Sequence, residues 1–240
     1  MLKESIRYQL MNNGADIVGF ADISMLDDPR YKGFNTAISI GVKLFDSIID
    51  TIVDAPTFMY LHHYETVNKK IDAITLSGGV YLENLGYKAF PVAASQSDPH
   101  KRSEYTSFFS HKTAARLSGL GHIGRSALMI TKDYGPRIRF GTLLTNLPIE
   151  HDLPMTENLC GTCTACVDVC PAGAITGDLY NIGAERSSIY HAHLCHDYIK
   201  DHFSISGGGK VCGICIQRCP LGKPGLRQWS PDSSSEYNDF

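Results

Sequence analysis

Apolar residues recur at helical spacing over residues 2–13, where Leu2, Ile6, Leu10 and Met11 share one face. Asn13-Gly14 ends that helix, because both residues accept the backbone turn past a last helical carbonyl. Ile17–Ala21 reads as a short strand, and residues 27–33, rich in Asp, Pro and Gly, as a loop. Thr36–Leu44 alternates and is rich in β-branched residues, which predicts a strand. Pro56 opens a long helix to about Leu85. Tyr60, Tyr64, Val67, Ile71, Ile74 and Leu82 form its apolar face, while His62, His63, Asn68, Lys69 and Asp72 read as a solvated polar face. Gly86–Val92 follows as a strand, and Ala93–Phe109 as a polar loop. Ser110 can cap a helix reaching Leu117. Ser126–Thr131 and Arg137–Thr145 read as two strands paired through a turn at Tyr134-Gly135-Pro136. Helices alternating with about five strands suggest an α/β or α+β sandwich. It occupies residues 1–150, followed by a module at 151–228 and a loose Ser/Asp-rich tail at 229–240.

The module carries the strongest chemical signal. Cys160, Cys163, Cys166 and Cys170-Pro171 form C-x2-C-x2-C-x3-C-P, the run of bacterial two-cluster ferredoxins. Cys212, Cys215 and Cys219-Pro220 form C-x2-C-x3-C-P, one cysteine short, and Cys195 is the one left to complete it. Three thiolates on a tight loop clasp three corners of a cubane, and the fourth cysteine of each run ligates the other cluster. That rule assigns Cys160, Cys163, Cys166 and Cys219 to one 4Fe-4S cluster, and Cys170, Cys195, Cys212 and Cys215 to a second. A pair of four-cysteine zinc sites is the alternative, but zinc does not require the C-x3-C-P continuation that occurs twice. A secreted disulfide framework does not suit eight cysteines gathered at one end of a 240-residue chain.

Charge and hydropathy narrow the partners. The formal net charge of −3 and the absence of a basic stripe speak against nucleic acid. No apolar run is long enough to span a membrane. The start, Met1-Leu-Lys-Glu-Ser, has no secretory core. A reducing cytoplasm is expected, and oxygen-sensitive clusters point to an anaerobic host.

Gly119-Leu-Gly121-His122-Ile-Gly124 matches G-x-G-x-x-G literally. The dinucleotide fingerprint needs a strand before it, a helix after it and an acid about 20 residues on. Here a helix precedes and a strand follows, so the segment reads as a glycine turn through which backbone amides approach a flat or anionic ligand. Ser206–Lys210 is not a P-loop, because Val211 stands where a hydroxyl must reach magnesium.

Ala114–Arg125, Gly135, Gly141–Leu144, the first cysteine run and the displaced Cys195 together resemble the epoxyqueuosine reductases and their relatives, the reductive dehalogenases. The resemblance covers about residues 86–221. It implies a nitroreductase-like α/β domain that binds a corrinoid (cobalamin), followed by the two-cluster module, with cluster electrons reaching the cobalt and an acid protonating the product. It implies corrinoid contacts at Gly119, Gly121, His122, Gly124, Arg125 and Ser126. The family motif ends in Gly-Lys-Asn, where this chain has Gly124-Arg125-Ser126. The family's upstream acid falls on Tyr105 when counted without gaps, with Asp98 seven residues away. Tyr105, His111 and Lys112 are therefore the expected proton donor and its neighbours. The tRNA enzyme continues into helical repeats well past its clusters, and this chain ends soon after Cys219, so a small molecule is a better substrate than tRNA. A ferredoxin or flavodoxin would supply electrons. Two other readings stay open: an electron-transfer or reactivating partner of another corrinoid protein, and a flavin in the first domain.

Overall fold

The computed structural model describes residues 2–95, 105, 107–203 and 211–224. The predicted tail and the Ser206–Lys210 segment lie outside these residues, as does most of the loop containing Asp98. The elements are α1 (Leu2–Asn12), β1 (Ile17–Asp22), β2 (Thr36–Lys43), α2 (Asp46–Ile49), α3 (Phe58–Asn84), β3 (Ala89–Val92) and α4 (His111–Leu117). They continue with β4 (His122–Ile123), β5 (Met129–Ile130), β6 (Ile138–Thr145), α5 (Ala165–Asp168), α6 (Ala192–His202) and α7 (Ile214–Arg218).

Two compact units emerge, and they interleave along the chain rather than dividing at residue 150. The first takes Met1–Lys43, Tyr64–Gly121 and Ile138–Met155; the second takes Leu44–His63, His122–Arg137 and Thr156–Phe240. The helix α3 therefore starts in the second unit and continues in the first.

The first unit is built on a four-stranded sheet of order β1-β2-β6-β3 with every pair antiparallel. Strands β2 and β6 are buried along nearly their whole length, as strands covered on both faces must be. Side chains alternate between faces along β6. Leu144 packs with Ala114 of α4 in a core that also holds Ile23, Val92 and Phe109. Gly141, of opposite parity, lies against Ile71 and Thr75 of α3. Thus α4 covers one face and α3 the other. Ser110 caps α4 as expected, its hydroxyl accepting from the Thr113 amide at 3.3 Å. Asp152 fixes α1 to β1: it accepts from Lys3 Nζ at 2.6 Å and from the Phe20 amide at 2.8 Å. Burial raises the Asp152 pKa, but these bonds and the charges of Lys3 and Arg7 outweigh it and hold the carboxyl below its usual value.

Two expectations are corrected. Residues 126–131 do not pair with β6; only Met129–Ile130 is extended, and it pairs with His122–Ile123 in a separate two-stranded ribbon. Strand β6 pairs instead with β2 and β3. The polar side of α3 is not simply solvated. His63 and Asn68 are buried, with His63 Nε2 accepting from the Phe45 amide at 3.0 Å.

In the second unit, the fully buried Arg137 reaches Asp46 at 3.0 Å and Asp50 at 2.7 Å. This ion pair ties segment 44–63 to segment 122–137. Ile130 of the ribbon packs with Leu159 and Leu221, which bracket the cysteine module.

Candidate metal centre

The cysteines sit on tight loops and very short helices. Cys163 donates its amide to the Cys160 carbonyl at 3.0 Å, closing the first turn. The Cys160 amide is held by Asn158 Oδ1 at 2.9 Å. Cys166 lies in α5 and Cys215 in α7, elements of four and five residues that pack against each other. Cys195 is on α6, away from both runs.

Cys160, Cys163, Cys166 and Cys219 line one cavity, walled by Ile130, Leu159, Ala165 and Leu221. Among the described residues, no three His, Cys, Asp or Glu side chains converge closely enough for a single ion; the four sulfurs surround a space instead. The other four form a second electrostatic neighbourhood. Cys195 and Cys170 are the thiols that act on Cys212, and Cys215 feels Cys212, Cys195 and Cys170 and also Cys166 of the first set. Burial is the main force on every perturbed thiol; crowding by other sulfurs adds to it, and at Cys160, Cys195, Cys212 and Cys219 a nearby donor works against it. Burial pushes Cys219 up to about 12, Cys166 and Cys212 to about 11, and Cys215 well above its ordinary value. Crowded buried thiolates suit a strongly positive metal centre, which reverses that penalty.

Hydrogen bonds to sulfur complete the surroundings. Ala174 donates its amide to Cys170 Sγ at 3.4 Å. The Arg125 and Leu221 backbones and the Tyr190 side chain draw the Cys160, Cys219 and Cys195 thiols back down against the effect of burial.

The expected corrinoid residues separate into two groups. Gly119 has a positive φ of 72°, and a side chain there would strike the Leu153 carbonyl. Its amide bonds to Arg116 O, and the Gly124 amide to Leu128 O. A Cβ on Gly124 would lie 2.6 Å from Ile130 Cγ1 and 3.1 Å from Cys160 Sγ. Arg125 spends its guanidinium on the carbonyls of Gly161, at 2.7 Å, and Gly177. Ser126 lines the cysteine cavity. Gly119, Gly124 and most of the Arg125 guanidinium are thus engaged by the chain itself, with Arg125 Nε left buried and unpartnered among the described residues. His122 differs: it is buried with neither ring nitrogen hydrogen-bonded, and burial drives its pKa down to about 4. It is the member of the set whose polar atoms fit a ligand group.

Of the expected donors, Tyr105 adopts a left-handed backbone at φ 50°, unusual for a bulky residue. Lys112 stands in the first turn of α4 beside His111. His111 is committed: Nε2 lies 3.0 Å from the Ala93 carbonyl and Nδ1 2.8 Å from Thr142 Oγ1. A carbonyl can only accept, so the proton is on Nε2 and Nδ1 accepts from the threonine. Burial lowers the His111 pKa to about 4. Sequence reasoning missed a neighbouring cluster. The Arg139 guanidinium lies 4.2 Å from the centre of the Tyr64 ring, and its Nε donates to Asn68 at 3.1 Å. Asp72, one turn farther along α3, accepts from the Ala94 amide at 2.8 Å. The i, i+4, i+8 spacing of Tyr64, Asn68 and Asp72 was the available signal.

Residues 159–222 match the family model of the 4Fe-4S double cluster binding domain. The second unit thus contains a module for two 4Fe-4S clusters, and zinc is set aside. The chain is also similar to epoxyqueuosine reductases. It is 30% identical to that of Bacillus subtilis (strain 168) over 120 residues, 49% of this chain and 30% of the relative. With that of Lactococcus garvieae it shares 38% over 113 residues, 45% of this chain and 31% of the relative. The matched stretch thus spans about a third of these relatives. In fold it resembles the catabolic reductive dehalogenase NpRdhA in complex with 3-bromo-4-hydroxybenzoic acid, with TM-score 0.74 at 18% identity over 95% of this chain and 34% of that one. It also resembles an epoxyqueuosine reductase solved with a modified tRNA-Tyr stem loop, with TM-score 0.62 at 19% identity over 96% and 69% of the two chains. Among the described residues, no helix is long and apolar enough to cross a membrane.

Proposed function

We propose that the chain is a corrinoid-dependent iron–sulfur oxidoreductase that reduces a small molecule, fed by an external donor such as a ferredoxin or flavodoxin in a low-oxygen cytoplasm. One observation carries the reading: Cys160, Cys163, Cys166 and Cys219, from opposite ends of the module, surround one cavity, which leaves the other four cysteines as a second set. That sorting supports Cys160, Cys163, Cys166 and Cys219 as ligands of the first cluster, and Cys170, Cys195, Cys212 and Cys215 as ligands of the second. Likeness to epoxyqueuosine reductases supports the corrinoid.

A bound corrinoid supplies a cobalt centre able to take up single electrons and attack a substrate. His122, whose two ring nitrogens have no hydrogen-bond partner among the described residues, has capacity to hold it. Behind the first cysteine cavity, Arg125 binds the carbonyl of Gly161 and Gly124 packs close to Cys160, which together hold that thiol in place. His111, with its single proton given to Ala93, positions Thr142 rather than acting as the acid. Tyr105 is the preferred proton donor, and its left-handed backbone is the kind of local outlier that functional sites retain.

Anaerobic purification, followed by iron, sulfide and cobalt analysis before and after incubation with cobalamin, tests the proposal. About eight irons per chain are expected, with roughly one cobalt retained and a corrinoid absorbance band. Zinc in place of iron, or full clusters with no cobalamin uptake, would overturn it. Turnover of a tRNA stem loop in place of small molecules would revise the substrate class.

A further inference from the structure

In the first unit, Arg139 is a cation held by neutral groups. It is the half-buried member of β6, whose other residues are buried. It shares the parity of Gly141, so its side chain runs toward α3. There the guanidinium lies 4.2 Å from the centre of the Tyr64 ring, a cation–π distance. Its Nε donates to Asn68 Oδ1 at 3.1 Å and its Nη2 to the Ala94 carbonyl at 3.5 Å. Among the described residues, no carboxylate pairs with Arg139 and Nη1 has no hydrogen-bond partner. Asp72, next on that face of α3, is spent on the Ala94 amide at 2.8 Å. Asn68 is buried against the cation and offers an amide where an acid would neutralise it.

A partly desolvated cation is costly unless an opposite charge reaches it. A guanidinium with free N–H groups matches a planar carboxylate in geometry as well as in charge. We propose that Arg139 anchors the carboxylate of a small-molecule ligand, with Tyr64 and Asn68 fixing the plane of its guanidinium. The inference rests on the reading that this chain takes a small-molecule substrate, and it narrows that substrate to a carboxylic acid. The location suits the role. Arg139 and Asp72 both hold the backbone of Ala94, and His111, beside Lys112 at the start of α4, holds the preceding carbonyl of Ala93 at 3.0 Å. The anchor and the neighbours of the expected proton donor thus meet on one short stretch of chain within the first unit.

The test is saturation-transfer NMR of the anaerobically purified, cluster-loaded protein with butyrate and with its neutral counterpart, butyramide. Butyrate should bind saturably and butyramide should not. Arg139→Gln removes the charge and should weaken butyrate about tenfold or more. Asn68→Asp leaves the arginine in place and supplies a counter-ion from within, so it should weaken butyrate to a similar extent; it decides the matter if the Arg139 variant fails to fold. Absence of saturable butyrate binding, equal binding of the two probes, or wild-type affinity for butyrate in either substituted protein overturns the inference. Inorganic phosphate that displaces butyrate at lower concentration than acetate does overturns the assignment to carboxylates. None of these readouts requires a corrinoid. Cobalamin uptake without butyrate binding therefore defeats the anchor alone, and Arg139-dependent butyrate binding without cobalamin uptake defeats the corrinoid reading alone.

Discussion

At the scale of single residues, two buried histidines make opposite statements. His111 has both nitrogens satisfied, so its depressed pKa is a property of the fold. In the unfolded chain it titrates near 6.5 and in the folded protein at about 4. Between those values the unfolded state binds more protons, so stability rises with pH through this window and is lost on acidification. Denaturant unfolding of the wild type and His111→Gln at pH 7 and pH 5 should show a shallower loss in the variant, by about 2 kcal/mol. His122 has no partner for either nitrogen, and leaving such groups buried costs about 1–3 kcal/mol. His122→Leu should leave the corrinoid-free protein as stable as the wild type or about 1 kcal/mol more stable, while weakening cobalamin uptake at least tenfold by equilibrium titration. No spacing rule separates these two histidines in the sequence. The cysteines could be read because their roles are written into local loop geometry, whereas a histidine's role depends on which distant carbonyl or void the fold brings to it.

At the scale of elements, the Gly124 turn and the ribbon of β4 and β5 form part of the first cysteine cavity. A methyl group on Gly124 would press on Ile130 and Cys160. Gly124→Ala should lower iron in the first cluster, leaving about four irons per chain in anaerobic preparations and the second cluster's spectrum intact. The sequence pattern revealed α1, α3, α4 and β6 closely, since each is a continuous periodic run. It misread the partner of β6 because residues 126–131 are the nearest apolar segment in sequence. In the structure, Ile130 is drawn into the apolar contact with Leu159 and Leu221, and β6 is left to pair with β2 and β3. The buried side of α3 was missed for a similar reason. His63 and Asn68 look like surface residues until Phe45 and Arg139 supply their partners.

At the scale of the whole molecule, the two units exchange segments, so a sequential cut does not separate them. A fragment of residues 1–155 retains segments 44–63 and 122–137 without the rest of their unit. It exposes the surfaces that Leu159, Gly213 and Leu221 cover on Ile130, Ile52 and Tyr60. We expect that fragment to aggregate or to bind a hydrophobic dye strongly, whereas the full chain does not; a monodisperse, dye-silent fragment in size-exclusion chromatography would contradict this. The composition of the chain announced a globular domain and a cysteine module. It could not announce their interleaving, which depends on contacts such as Arg137 with Asp46 and Asp50, about ninety positions apart.

The first cavity is closed by Cys219, fifty-nine positions beyond Cys160 where its lining begins. A ribosome that has delivered the first run has therefore produced only three of the four sulfurs. A chain stalled or terminated before Cys219 lacks the fourth sulfur of this cavity, so a complete cluster there requires translation to have passed that cysteine.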